Sequence, residues 1–193
     1  MELLNDVWIT LAPSDVVRAL DQGSPEPPPD ELARTIQAFH DQRRAEAAYE
    51  LIDPPGSPLS AETSRAVGAE SGVAAVAATL GSGVEGLASL EWGPACLRAG
   101  LAQLEAFVCY RIMKRLGVRK LNLGTPLVPG GAAAPDLEIQ NVLDLLGSDP
   151  LGIRVENGGL RPTWSLAFLY PVSRAPAKAG SCSSCTKDCA LRR

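Results

Sequence analysis

The sequence predicts a single domain of mixed helices and strands that ends in a cysteine-bearing tail. Three observations carry that prediction. The chain has 193 residues with 46% apolar and 21% charged side chains, which suits one buried core and is too apolar for a disordered chain. From Ala95 to Leu116 apolar residues recur at three- and four-residue spacing, whereas Gly72 to Leu80 (GVAAVAATL) is a short unbroken apolar run. The last stretch, Ser173 to Arg193, is rich in Pro, Ala, Lys and Cys and has too little apolar content to pack except through its cysteines. The expected organisation is therefore a domain over 1–172, with an N-terminal helical part over 1–58, and a tail over 173–193.

Each element follows from local chemistry. Ser14 to Leu20 reads as a short helix with Ser14 as N-cap and Asp15 behind it. Two proline-rich breaks, Gly23 to Pro29 and Asp53 to Pro58, interrupt helix because proline fixes the backbone and lacks a donor. Between them Asp30 and Glu31 open a helix carrying Leu32, Ile36, Phe39 and then Ala47, with acids complementing the positive end of the helix dipole. Gly72 to Leu80 is a buried strand ending at Gly81-Ser82-Gly83, with the middle of a helix as the alternative. Leu97, Leu101, Leu104, Val108, Ile112 and Leu116 place one apolar stripe along the longest helix, which Gly117 is expected to close. Val118 to Leu123 reads as a short strand and Asp136 to Leu146 as a helix ended by Gly147. Ile153 to Glu156 and Ser165 to Tyr170 read as two strands, with the turn Asn157-Gly158-Gly159 between them. No internal repeat is found.

Charge narrows the function. With 22 acidic against 18 basic residues the net charge is −4, so no basic face for nucleic acid is expected. No run of 18 apolar residues occurs, so no membrane span is expected. The start, MELLNDVWITLAPSD, has acids where a secretory signal needs bases, which points to the cytoplasm.

Among single residues Glu105 stands out. Its helical neighbours Leu101, Ala102, Val108 and Cys109 include no base, so a partner must come from elsewhere in the fold or from a ligand; a rim position reaching solvent is the other reading. Gly81-Ser82-Gly83 and Gly130-Gly131 lack the lysine or third glycine of nucleotide-binding loops and read as turns. His40, the single histidine, lies beside Asp41, Arg43 and Arg44 and reads as solvated, so no Ser–His–Asp arrangement is expected. Cys96 and Cys109 read as small core residues. Cys182, Cys185 and Cys189 (CSSCTKDC) form a compact three-thiolate set that reads as zinc or iron–sulfur ligation before disulfide, with a tail that binds metal only incidentally as the other reading.

Several stretches together resemble a known family. They are Ala78-Thr79-Leu80-Gly81 with Val84, Leu104-Glu105-Ala106-Phe107, Gly124 opening a proline-containing loop before Leu137 to Leu146, Gly152-Ile153 with Leu160-x-Pro162-x-x-Ser165, and the closing cysteines before Leu191-Arg192. In order and spacing the chain resembles the activation domain of cobalamin-dependent methionine synthase, in its free-standing form. That resemblance implies an α+β fold with a bent antiparallel sheet flanked by helices, which binds S-adenosylmethionine (AdoMet) in a shallow groove. It implies Glu105 as the ligand-engaging carboxylate, and Lys120, Asn122, Gly124 and Thr125 at the loop that meets the ligand. Lys120 replaces an arginine of the family and Thr125 a tyrosine that faces the corrin, while Leu127 to Gly131 replaces a Gly-Asp-Trp stretch.

Two functions follow from the resemblance. Because the corrin-facing loop is what changed, the first expectation is an enzyme that cleaves AdoMet itself without pyridoxal phosphate. Its Cα would close on Cγ to give 1-aminocyclopropane-1-carboxylate and methylthioadenosine, with orientation supplying much of the rate. Glu105, Tyr110, Tyr170 or a thiolate of Cys182, Cys185 or Cys189 would act as base, and Lys120 would hold the carboxylate. The second is the family role, AdoMet-dependent reductive methylation of a partner corrinoid protein. AdoMet and a corrinoid protein are the expected partners; monomer and homodimer are both open.

Overall fold

The computed structural model describes residues 1–53, 64, 67, 72–147 and 151–174. The second proline-rich break beyond Asp53 and all three tail cysteines lie outside the described residues. In chain order the elements are β1 (Glu2–Leu4), α1 (Pro13–Arg18), α2 (Pro29–Gln42), β2 (Glu46–Ile52), β3 (Gly72–Thr79), the 3-10 helix η1 (Ser82–Ser89), α3 (Gly93–Val118), β4 (Asn122–Leu123), α4 (Ile139–Leu145), β5 (Arg154–Glu156), β6 (Gly159–Arg161) and β7 (Ser165–Ser173).

A five-stranded antiparallel sheet in the order β1-β2-β3-β7-β4 forms the centre, and β5 and β6 form a separate hairpin. The expectation of an α+β chain around a curled antiparallel sheet is met. β3 is the central strand, paired with β2 from Val73 to Thr79 on one side and with β7 along its whole length on the other. Both its faces are covered, so it shows no alternation of apolar and polar residues. Ala74, Val76 and Ala78 face α1, α2, η1 and α3, while Val73, Ala75 and Ala77 face α4 and the segment Leu151–Ile153. Small side chains at this strand let a helical layer close on each face.

α3 is the main support of the first layer. Its first two turns are largely buried through Gly93, Ala95, Cys96, Leu97, Ala99 and Gly100, and burial raises the Cys96 thiol to about 11. At Gly100 a side chain would lie 2.6 Å from the Phe39 ring. Beyond it Leu104, Val108, Ile112 and Leu116 keep the expected stripe. One flank is tied to β1: Glu2 accepts from the Tyr49 hydroxyl at 2.7 Å and pairs with Arg111 at 3.0 Å and Arg115 at 3.2 Å.

The structure corrects several expectations. α2 ends at Gln42 because Arg43 turns to extended backbone, so Ala47 belongs to a strand, and the N-terminal part contains β1 and β2 as well as helices. The N-cap of α1 is Ala12 rather than Ser14, and the Asp15 carboxylate in the first turn accepts the Ala12 amide at 2.9 Å. α3 continues through Gly117 to Val118, and the left-handed residue beyond it is Lys120 (φ 55°), which reduces the expected strand over 118–123 to Asn122–Leu123. The turn Asn157-Gly158 joins β5 to β6 rather than to the following strand, and β7 instead pairs with β3 and extends to Ser173, one residue into the expected tail. Gly147 does close α4, at φ 78°.

Candidate functional site

The site predicted from sequence falls where α3 crosses the β7–β4 edge of the sheet. Glu105, half-buried on the flank of α3, receives a hydrogen bond from the Tyr170 hydroxyl at 3.5 Å. No ion pair to Glu105 forms among the described residues. Tyr170 rises from β7 on the face that also carries Phe168 and Val172, a spacing of two that follows from strand geometry. It is 4% exposed, and the Phe168 ring meets its ring edge-on at 5.1 Å. Cys109, one turn beyond Glu105 on α3, also contacts the Tyr170 hydroxyl. Its role here has no signature in the sequence, where it reads as an ordinary small core residue.

The loop after β4 completes the site. Asn122 pairs with Ser173 and Leu123 with Val172, after which the Gly124 amide donates to the Pro171 carbonyl at 2.7 Å. Pairing resumes when Leu127 and Leu169 exchange bonds of 2.7 and 3.1 Å. Two residues, Thr125 and Pro126, therefore stand opposite one, Tyr170, and the edge bulges beside it. Gly124 lies close to the neighbouring strand: an added Cβ would lie 3.2 Å from Pro171 Cβ, tighter than ordinary contact. Register thus brings Asn122, Gly124 and Thr125 to the strand segment whose central side chain touches Glu105.

Two of the expected residues are exposed on or just beyond α3. Tyr110 is five positions beyond Glu105, about 140° round the helix, and is 42% exposed to solvent. Lys120 is exposed in the turn between α3 and β4. Thr125 is likewise exposed, so the site is an open edge.

Electrostatics assign Tyr170 a role other than the expected one. Burial raises its pKa far above the ordinary tyrosine value, and its interactions with Cys109 and Glu105 raise it further. The phenol stays protonated at neutral pH and serves as a donor to Glu105, not as a base. The cluster can do one thing well: hold a carboxylate in place, partly shielded from water, beside an open sheet edge. Such an arrangement can accept a cation.

His40 also departs from its expected solvated setting. Its Nε2 accepts the Leu11 amide at 3.4 Å, and burial, followed by the nearby Arg43 guanidinium, lowers its pKa. The glycines of Gly81-Ser82-Gly83 form a turn, as expected. Gly81 has φ 84°, and a side chain at Gly83 would come within 2.6 Å of the Gln42 carbonyl.

A polar cleft of about 800 Å³ lies elsewhere, lined by Arg44, Glu46, Arg154 and Arg161 among others. Sequence reasoning missed it because its walls come from four separate segments. Among the described residues no helix is long and apolar enough to cross a membrane. No protein-family model and no curated protein matches the chain significantly.

Proposed function

We propose that this chain binds AdoMet along the α3–β7–β4 edge and presents its methyl group to a corrinoid held by a separate protein. The observation that supports it most directly is Glu105: a half-buried carboxylate that forms no ion pair among the described residues, steadied by a buried phenol, at an edge open to solvent. Glu105 would face the positive end of the ligand, and the Thr125–Pro126 bulge would border it. In the transfer, reduced cobalt supplies an electron pair to the methyl carbon, the carbon–sulfur bond breaks, and its pair stays on sulfur as S-adenosylhomocysteine. A one-electron reductant must first bring the partner's cobalt to that state. This chemistry asks the chain only to position and expose the methyl group.

Ring closure of AdoMet asks for more. A base must remove the Cα proton while water is kept out, and no pyridoxal phosphate motif is evident in the sequence to acidify that proton. Tyr170 is held protonated and Tyr110 points away, so Glu105 and Cys109 are the groups left in place. An open edge suits a second large reactant better than an internal displacement. For the tail, Cys182, Cys185 and Cys189 would hold zinc or an iron–sulfur cluster, a reading supported by their spacing alone.

The purified full chain incubated with AdoMet, with and without reduced corrinoid, separates the readings. S-adenosylhomocysteine formed only when corrinoid is present supports methyl presentation. Methylthioadenosine with 1-aminocyclopropane-1-carboxylate in its absence overturns it in favour of ring closure, and no product in either case overturns both. Metal content of the same preparation against a Cys182→Ser variant tests the tail; equal content refutes ligation there.

A further inference from the structure

The cleft on the other face of the sheet is built differently from the Glu105 edge. On that face α4 and the Leu151–Ile153 segment cover Ala48, Ala75, Ala77, Ala167 and Leu169. At the end of the strands the row turns polar: Glu46 is the cross-strand partner of Thr79, and Thr79 of Ser165. The β5–β6 hairpin adds Arg154, Glu156 and Arg161 to the lining, and Arg44, whose backbone lies against Gly81, adds to it with Gly81-Ser82-Gly83.

Most polar groups in the cleft are already engaged. Glu156 pairs with Arg154 at 2.7 Å and with Arg161 at 3.5 Å, and Glu85 accepts the Thr163 amide at 3.2 Å. Thr79 accepts the Gly81 amide at 3.0 Å and lies 2.9 Å from Ser165 Oγ, which donates to the Pro162 carbonyl at 2.7 Å. Two charges are left over. The Arg44 guanidinium and the half-buried Glu46 carboxylate form neither an ion pair nor a hydrogen bond with any described residue, including each other. They are two residues apart on extended chain, about 6.6 Å by strand geometry, and both line the same space. The lining holds three arginines and three glutamates, so it has no net sign. A bare phosphate would face three carboxylates, and a simple amine three guanidinium groups. The ligand that satisfies both spare groups carries a carboxylate and an ammonium close together. Leu151, Gly152 and Pro162 supply the less polar remainder, where a side chain can lie.

We propose that this cleft binds the zwitterionic head of a free α-amino acid, with Arg44 on its carboxylate and Glu46 on its ammonium group. The site lies on the sheet face opposite Glu105 and stands or falls independently of the AdoMet reading.

Calorimetric titration of the full chain tests it, with L-leucine, L-glutamate and L-lysine as probes. For leucine two truncated analogues serve as controls: 3-methylbutylamine, without the carboxylate, and 4-methylpentanoate, without the ammonium. Saturable binding of at least one amino acid is expected, with leucine at least about tenfold tighter than either analogue if leucine is the one bound. Arg44→Gln and Glu46→Gln should each weaken binding about tenfold or more, and Glu105→Gln should leave it unchanged. No saturable heat with any of the three amino acids overturns the proposal, as does tighter binding of inorganic phosphate or unchanged affinity in Arg44→Gln. Should Glu46→Gln fail to fold, the exposed Arg44 variant and the analogue series on the unaltered chain still decide.

Discussion

Glu105→Gln is the most informative single change, because the structure separates its effect on folding from its effect on binding. The glutamate forms no ion pair among the described residues, so the isosteric amide strands no buried cation. Its one described polar contact is with the Tyr170 hydroxyl at 3.5 Å, at the long end of hydrogen bonding, and the amide oxygen can still accept it. Stability should therefore change by no more than about 0.5 kcal/mol. A bound cation would feel far more. Opposite unit charges 4 Å apart attract by about 1 kcal/mol in water and about 4 kcal/mol at the effective dielectric of a protein surface. A half-buried carboxylate falls between those limits, which predicts a loss of AdoMet affinity between about fivefold and about a thousandfold.

Paired ligands sharpen the test. AdoMet carries a sulfonium and an ammonium, whereas S-adenosylhomocysteine keeps only the ammonium. Titrating both against the parent chain and the variant forms a cycle whose coupling term belongs to the sulfonium charge. A larger loss for AdoMet than for the thioether places the sulfonium at Glu105, and equal losses place the ammonium there. Affinities for both ligands that do not move refute the assignment of Glu105, whatever the chain turns out to catalyse.

Two further outcomes follow from packing and protonation. At Gly93 an added Cβ would sit 1.6 Å from the Leu87 carbonyl oxygen, so Gly93→Ala should destabilise by about 3 kcal/mol or more in urea unfolding, while Gly117→Ala, with open space around it, should stabilise by up to about 1 kcal/mol. His40 has a folded-state pKa below its ordinary 6.5, so the unfolded chain takes up its proton first; its contribution is complete above pH 6.5 and declines as pH falls from there towards the folded value, and the urea midpoint of a His40→Gln variant should lack that component.

How much of this was legible depended on whether the deciding contact was local. The stripe along α3 and the anomaly at Glu105 are properties of three- and four-residue spacing, and both survive folding. β2 was missed because Glu46-Ala-Ala-Tyr-Glu-Leu-Ile follows a helix and contains good helix formers. What makes it a strand is its pairing with β3 at seven consecutive positions, which lies outside any local window. The bulge at Thr125–Pro126 is likewise a matter of register, set by the separate pairings of Leu123 with Val172 and Leu127 with Leu169. Lys120 occupies a left-handed turn because α3 outruns the expected end at Gly117.

The same central strand explains why the two candidate sites lie where they do. β3 gives both faces of the sheet to helices and loops through small apolar side chains, and no polar group can sit in the middle of either layer without losing its water. Charged groups can work only where the covering stops. On the first face it stops at the β4 side, where the sheet ends in a two-residue strand and a bulge, and there Glu105 meets Tyr170. On the second it stops at the Thr79 end, where Glu46 begins β2 and the hairpin adds to the same lining. Each site is thus a boundary of a packed layer. Substitutions at Glu105, Arg44 or Glu46 should therefore change binding with little effect on folding, while substitutions among the alanines of β3 should do the reverse.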